Sequence, residues 1–185
     1  MKNDSALVRR IMSPSTFRIG MSLYPPLLFA GVRVEHIADD WTSVRVRHRV
    51  SWWNRNHNGA AFGGTLSAMT DPFFGLMAAQ QLGPGYVVWN TSVSTRFLKP
   101  GRGTVTATMQ LTPDETSAMR AATADGGKSV TSHSTEIVAS DGSVIARAEQ
   151  QVYVRRAKTA STEQHQPTSV ALDELAQNGT PSTAK

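Results

Sequence analysis

Residues 60–82, AAFGGTLSAMTDPFFGLMAAQQL, decide the fold of this chain. The stretch lacks the two-residue alternation of a strand and carries few polar residues, so it predicts a helix that is apolar on nearly all sides. Such a helix must be covered by other parts of the chain. Pro72 stands near its middle and has no backbone N–H, which predicts a kink or a division into two helices at that point.

Six segments outside this helix alternate polar and apolar residues and therefore predict strands. The alternation is clearest in 43–50, where valines face one side and arginines face the other. Asp141-Gly142 lies between the last two segments and is typical of a type I′ hairpin turn. The six predicted strands are 32–37, 43–50, 87–97, 105–111, 130–139 and 144–154.

The order of two strands, one buried helix and four strands predicts an α+β domain. In it a curved, antiparallel, six-stranded sheet wraps around one long central helix. Such a sheet leaves its outer edge and part of one face exposed, so we expect it to pair with a second copy. We expect the domain to span 25–156, after a flexible segment, 1–24, that contains a short helix. The remainder, 157–185, has no aromatic residue and is expected to be a disordered tail.

The composition excludes several classes of protein. The chain has no Cys, so disulfides, thiolate metal sites and thiol nucleophiles are excluded. Its histidines are isolated and nucleotide loops and a Gly-x-Ser-x-Gly elbow are absent, so neither a metal site nor a cofactor is expected. The net charge of +5 comes without interleaved aromatic residues, so no nucleic-acid partner is expected. No apolar run approaches the length of a signal-peptide core or a membrane span, which predicts a cytoplasmic protein with no membrane partner.

Polar residues concentrate just before and within the predicted helix. Two interpretations fit Asp71: it caps a helix that begins at Pro72, or it is a base strengthened by apolar surroundings. Gly63 and Gly64 either allow close packing of the helix on the sheet or present free amides that would stabilise an oxyanion. Asn56 is either a turn residue or a group that orients a water or an acyl carbonyl. A base beside an oxyanion hole suits acyl transfer to water.

These residues resemble a known motif. Asn56, then Phe62-Gly63-Gly64, then Asp71 is similar to the pattern of the hotdog-fold acyl-CoA thioesterases of the PaaI-like group. With Trp89 and Lys99-Pro100-Gly101, the string looks more narrowly like the DUF4442 subgroup. The resemblance covers about 25–155 and implies the hotdog fold. It also implies a thioesterase site formed by Asn56, the amides of Gly63 and Gly64, and the carboxylate of Asp71.

Position 62 departs from the related motif, and position 90 extends it. The related motif usually has His-Gly-Gly, and here Phe62 replaces the histidine, so the backbone amides remain but a side-chain hydrogen bond is lost. Asn90 stands about where related enzymes place a hydroxyl or amide that holds the attacking water. An ordinary polar residue at a strand end is the alternative interpretation of Asn90.

The resulting expectation is a homodimer or homotetramer that hydrolyses an acyl-CoA or acyl-carrier thioester, with Asp71 as general base or nucleophile. The acyl chain is expected to lie along the buried helix, near Phe62, Phe73, Phe74 and Met77. Basic side chains at gathered strand ends either form a solvated surface or bind the phosphates of coenzyme A; they are Arg96, Lys99 and Arg102. Two other functions stay open: a non-catalytic acyl-CoA-binding or regulatory module, and a structural dimerisation domain without a ligand.

Overall fold

The computed structural model describes residues 13–157. The predicted tail lies outside the described residues apart from Ala157, as do residues 1–12 of the predicted N-terminal segment. The described elements, in chain order, are α1 (Pro14–Leu23), α2 (Pro25–Ala30), β1 (Val32–Ile37), β2 (Ser43–Arg49), α3 (Gly63–Ala68), α4 (Phe73–Leu82), β3 (Tyr86–Phe97), β4 (Thr104–Gln110), α5 (Pro113–Ala122), β5 (Lys128–Ala139) and β6 (Val144–Arg156).

All six strands form one antiparallel sheet in the order β1-β2-β4-β5-β6-β3. The six strands thus confirm the positions predicted from alternation, to within two residues at each end. The turn between β5 and β6 differs from its predicted type. Gly142 has a φ of 80° but Asp141 does not have a positive φ, whereas a type I′ turn requires both. Instead, Gly142 N–H donates to Ala139 O at 3.0 Å, and a shift in register follows at Ile137 and Val138.

The central helix is divided in two. α3 ends at Ala68 and α4 begins at Phe73, with Pro72 in the turn between them. The division confirms the effect expected of Pro72 and corrects the single long helix. The helix also begins at Gly63 rather than at Ala60, because the residues before it bridge to other chain segments. Ala61, for example, donates its N–H to Gly101 O at 2.8 Å.

α4 supplies the centre of the hydrophobic core. Phe73, Phe74 and Met77 are buried completely against the inner face of the sheet, together with apolar residues of β2, β4, β5 and β6. α1 and α2 contact β1, at the edge of the sheet opposite β3. Among the helices of residues 13–157, none has the length and apolar character needed to cross a membrane.

α5 was not predicted from the sequence, although a local signal for it exists. Thr112 Oγ1 accepts from Glu115 N–H at 3.3 Å, and Glu115 Oε2 accepts from Thr112 N–H at 2.7 Å. This reciprocal pair is a capping box, and Pro113 occupies the first helical position. The sequence Thr-Pro-Asp-Glu therefore marks the start of the helix even though its own apolar pattern is weak.

β3 forms one edge of the sheet and most of its residues are exposed. Val93 is 39% exposed on this strand, and Trp89 and Phe97 are also exposed. A long strand with an unpaired edge and apolar side chains in water is a template for pairing with another chain. This edge positions the candidate site, because α3 and the turn after it lie alongside it.

Candidate active site

α3 and the following turn run beside β3 in the opposite direction. At one end, Gly63 packs closely against the ring of Phe97, since a Cβ atom at position 63 would lie only 2.9 Å from Cζ of Phe97. In the middle, Ser67 Oγ donates to Thr95 Oγ1 at 3.0 Å. At the other end, the side chain of Asn90 contacts Asp71. The predicted site residues consequently occupy two separate places along β3, one near Phe97 and one near Asn90.

The first place is the acid cluster, which consists of Asp71 and Asn90. Asn90 Nδ2 donates to the backbone oxygen of Asp71 at 2.6 Å and to its carboxylate Oδ1 at 3.1 Å. The second carboxylate oxygen, Oδ2, has no hydrogen-bond partner within the described residues. One oxygen of Asp71 is thus held and the other is free to accept a proton.

Asp71 is exposed in the single chain. Its expected burial in an apolar helix is therefore wrong for one copy, because Pro72 divides the helix and places Asp71 in the turn. The capping interpretation also fails on geometry. The residue that precedes the first turn of α4 is Pro72, and no side chain caps that helix. The carboxylate of Asp71 instead faces β3 through Asn90.

The second place is the amide cluster, which consists of Asn56, Gly63 and Gly64. Asn56 and Gly63 line a pocket of about 400 Å³, together with Leu66, Phe97 and Lys99. The N–H groups of Gly63 and Gly64 have no acceptor within residues 13–157. They are backbone donors with unused hydrogen-bonding capacity at the start of α3.

Asn56 shapes the loop that leads into α3. Its Oδ1 accepts from the N–H groups of Asn58 and Ala60 at 2.9 and 3.1 Å, and its Nδ2 donates to Ala61 O at 3.4 Å. The side chain therefore holds the backbone that leads to Gly63, and one Nδ2 hydrogen has no acceptor within residues 13–157. The expected role of Asn56 toward a water or an acyl carbonyl stays a prediction.

Most of the predicted acyl contacts are not available to a ligand. Phe73, Phe74 and Met77 are buried in the core, because they face the sheet rather than the groove beside α3. Their expected contact with an acyl chain is wrong for the described conformation. Phe62 differs, since its side chain is 58% exposed. It lines an open groove with Phe29, Trp53, Thr65 and Ala68.

The three predicted basic residues have different surroundings. Lys99 lines the pocket of the amide cluster. Arg102 donates to the carbonyls of Asn58 and Gly59 at 3.3 and 3.4 Å, so it braces the same loop that Asn56 holds. Arg96 pairs in register with Arg147 on the outer face of the sheet. Since neighbouring strand residues point to opposite faces, Arg96 faces away from α3, and its contact with substrate stays a prediction.

Two buried polar residues near the acid cluster were not predicted as site residues. Gln150 donates from Nε2 to Thr70 O at 2.7 Å, and its Oε1 accepts from Asn90 Nδ2 at 3.4 Å. His133 stacks on Phe74 and lies 3.5 Å from Glu115. Burial lowers the pKa of His133, and Glu115 opposes that shift. The signal for Gln150 was its place as a polar residue on the apolar face of the last alternating segment.

Comparison with known proteins adds two findings. The model of the family described as "Domain of unknown function (DUF4442)" matches residues 14–154. No curated protein sequence matches the chain.

Solved structures match at low sequence identity. A Pseudomonas aeruginosa protein described as a "Probable Thioesterase" is 18% identical, with a TM-score of 0.71 over 78% of this chain and 97% of that one. A Haemophilus influenzae thioesterase is 12% identical, with a TM-score of 0.61 over 80% and 94%. The Escherichia coli PaaI protein of the phenylacetic acid degradation operon is 18% identical, with a TM-score of 0.55 over 78% and 92%. The described sheet with its central helix is the hotdog fold.

Proposed function

Since the chain belongs to the DUF4442 family, we propose that it hydrolyses the thioester of an acyl-CoA or acyl-carrier substrate. One observation carries the proposal. A carboxylate with a free oxygen, Asp71, lies on the same edge of the molecule as the unpaired amides of Gly63 and Gly64. A base and an oxyanion hole are the two groups that attack by water on a carbonyl requires.

The site is completed by a second copy in this proposal. When two β3 strands pair antiparallel, residues equally far from the centre of the pairing face each other. Residues that face each other across such a pair point to the same side of the sheet, so the pairing is centred on a single residue. Ser94 lies near the middle of the stretch between Asn90 and Phe97, the residues that mark the acid and amide clusters, and a register shift lies between Asn90 and Ser92. Pairing about Ser94 would bring Asp71 close to Gly63 of the partner subunit and would cover the exposed face of Asp71. A homodimer, or a tetramer of two such pairs, therefore contains two equivalent sites.

The chemistry then proceeds with Asp71 as a general base. The amides of Gly63 and Gly64 bind the carbonyl oxygen of the thioester. Asp71 removes a proton from a water molecule while the oxygen of that water attacks the carbonyl carbon. The amides stabilise the negative charge of the tetrahedral intermediate. Cleavage of the C–S bond releases the thiol, which takes up the proton from Asp71, and leaves the carboxylic acid. Direct attack by Asp71 is the alternative step and passes through an anhydride.

The surroundings favour a substrate with an apolar acyl group and a phosphate-bearing carrier. The groove lined by Phe29, Trp53 and Phe62 begins at Gly64, so an acyl group bound to the amides would extend along it. Lys99 offers a positive charge in the neighbouring pocket for a phosphate of coenzyme A or of a carrier protein. The proposed reaction uses no cofactor or metal and needs no nucleic acid or membrane. We propose that it takes place in the cytoplasm.

A second candidate function is a non-catalytic module that binds acyl-CoA. Phe62 favours it, because this residue cannot make the hydrogen bond of the usual histidine. A panel of acyl-CoA esters separates the two functions. Hydrolysis predicts steady release of free thiol with at least one acyl group, whereas binding alone predicts saturable association with no thiol release. A protein that neither binds nor cleaves any ester would be the ligand-free dimerisation domain.

A further inference from the structure

Gln150 is an unusual residue for its position. The side chains of β6 that face the helices are otherwise buried and apolar: Ala146, Ala148, Val152 and Val154. Gln150 lies in the middle of this row and is only 1% exposed. Burying a carboxamide is unfavourable unless its oxygen and nitrogen are both hydrogen-bonded. The contacts of Gln150 therefore show why a polar residue is present there.

Both ends of the Gln150 carboxamide contact the acid cluster or the turn that carries it. The Nε2 group donates to Thr70 O at 2.7 Å, and this bond is buried. The Oε1 atom accepts from Asn90 Nδ2 at 3.4 Å. Asn90 in turn donates to the backbone oxygen of Asp71 at 2.6 Å. Two side-chain amides thus hold two consecutive carbonyls, those of Thr70 and Asp71.

The turn needs these donors because Pro72 divides the helix. In an unbroken helix each carbonyl accepts from an amide four residues later. Here the backbone donor to Thr70 O is Phe73 N–H, at 3.5 Å, which is at the limit of a hydrogen bond. No backbone amide within the described residues donates to Asp71 O. The sheet, through Gln150 and Asn90, supplies what the helix lacks.

We infer that Gln150 is a positioning residue for Asp71. It fixes the turn at Thr70 through the short bond of 2.7 Å, and its Oε1, at 3.4 Å from Asn90 Nδ2, adds a weaker contact that favours the orientation in which the amide of Asn90 faces the carboxylate. The direction of the carboxylate is therefore set from β6, the strand next to β3, rather than by the turn that carries Asp71. We call the two hydrogen bonds of the Gln150 carboxamide, to Thr70 O and from Asn90 Nδ2, the clamp. The clamp itself is independent of the proposed function, whereas its effect on turnover rests on that function.

The first test measures the clamp without using activity. Hydrogen exchange of the Asn90 side-chain amide is followed by NMR in the full-length protein, with the signals assigned from Asn90→Ala. Gln150→Met keeps the volume and removes both hydrogen bonds, so we expect exchange to become at least about tenfold faster. Gln151→Met is the matched control, since Gln151 is exposed on the outer face, and it should leave the exchange unchanged. Unchanged exchange in Gln150→Met would overturn the inference.

The second test asks whether Gln150 acts through Asp71. We expect Gln150→Met to lower kcat about 10- to 100-fold with KM within about twofold, as for a misplaced catalytic group. In the Asp71→Asn background the same change should lower the residual kcat no further. An equal loss in both backgrounds would show a general structural role and contradict the inference.

The inference stays testable if the first variant does not fold or if the wild-type protein has no activity. If Gln150→Met does not fold, Gln150→Leu replaces it, because this apolar side chain also removes both hydrogen bonds; faster exchange supports the clamp and unchanged exchange refutes it. If the wild-type protein releases no thiol, the proposed function fails. The exchange experiment then decides on the clamp by itself.

Discussion

Asn90 binds both the backbone oxygen and the carboxylate of Asp71, at 2.6 and 3.1 Å. This double contact joins the edge strand β3 to the turn between α3 and α4. Within residues 13–157 it leaves Oδ2 of Asp71 without a hydrogen-bond partner, and it keeps the carboxylate against the edge where a second copy would pair. The relationship connects the fold to the proposed chemistry, because the division of the helix, the exposed edge and the acid meet at this point.

Removing the Asn90 amide should affect activity more than stability. Asn90→Ala removes the hydrogen bonds to Asp71 and leaves the buried Gln150 Oε1 without its partner, a loss of about 1–3 kcal/mol that lowers Tm by about 2–12 °C in a chain of this size. We expect turnover to fall at least about tenfold, because the carboxylate loses its orienting donor. Thermal unfolding and thiol release measure the two effects. The exposed Gln110→Ala on β4 is the control; equal losses of activity in both variants would refute a specific role for Asn90.

The exposed edge of β3 makes a second prediction. In Val93→Lys, each copy carries a lysine near the centre of the proposed pairing, so two positive charges are brought close together, which disfavours the dimer. We expect a monomer by analytical ultracentrifugation, with unchanged circular dichroism and at least about a tenfold loss of turnover. Val130→Lys is the matched control, because Val130 is 49% exposed but lies on the interior strand β5. A fully active Val93→Lys monomer would show that one copy suffices.

Phe62 provides a test of the apolar groove. Phe62→Ala removes an exposed ring that an acyl chain would cover, at a loss of about 1–2 kcal/mol of binding, or about 5- to 30-fold in KM. The effect should grow with acyl length while kcat changes little. Trp52→Ala is the comparison, since Trp52 is 82% exposed and does not line the groove. If Phe62→Ala leaves KM unchanged from the wild-type value for both short and long acyl groups, the acyl group lies elsewhere.

Stability should rise with pH through the range in which histidine titrates. Burial lowers the pKa of His48 and of His133 below the ordinary value of 6.5, with opposing contributions from Gly31 O and Glu115 respectively. The unfolded chain then binds more protons than the folded one in this range, so the free energy of unfolding falls as pH drops below about 6.5. The uptake on unfolding should be at most about two protons.

Urea unfolding at pH 7.5 and at pH 5.5 measures this dependence. We expect His133→Gln to reduce the pH slope, because one of the two buried groups is gone. His57→Gln, which changes an exposed histidine, should retain the full slope. A wild-type protein that is more stable at pH 5.5 than at pH 7.5 would contradict the predicted direction.

The strands and the buried helix could be predicted because their signals are local. Alternation defines each strand, and the missing N–H of Pro72 predicts the division of the helix. α5 was missed because its own pattern is weak, although Thr112 and Glu115 mark its start. The predicted type of the turn at Asp141 was wrong because Asp-Gly is compatible with more than one type of turn. The register of β5 selects between them.

The candidate site was harder to predict because its residues meet through non-local contacts. Asp71 and Asn90 come together only when α3 packs along β3. Apolar character alone could not show that Phe73, Phe74 and Met77 face the sheet whereas Phe62 faces solvent. Gln150 was visible as a polar residue in an apolar row, but its partner Thr70 is known only from the packing of the turn on β6.

The most direct test of the account is the turnover of Asp71→Asn. We predict at least about a hundredfold lower kcat for thiol release from an acyl-CoA that the wild type cleaves, with Tm within about 2 °C, because asparagine is isosteric, its Oδ1 can still accept from Asn90, and residue 71 caps no helix. Asp125→Asn, an exposed carboxylate after α5, should keep full activity. Wild-type turnover in Asp71→Asn, or a loss of activity that only parallels unfolding, would contradict a catalytic Asp71.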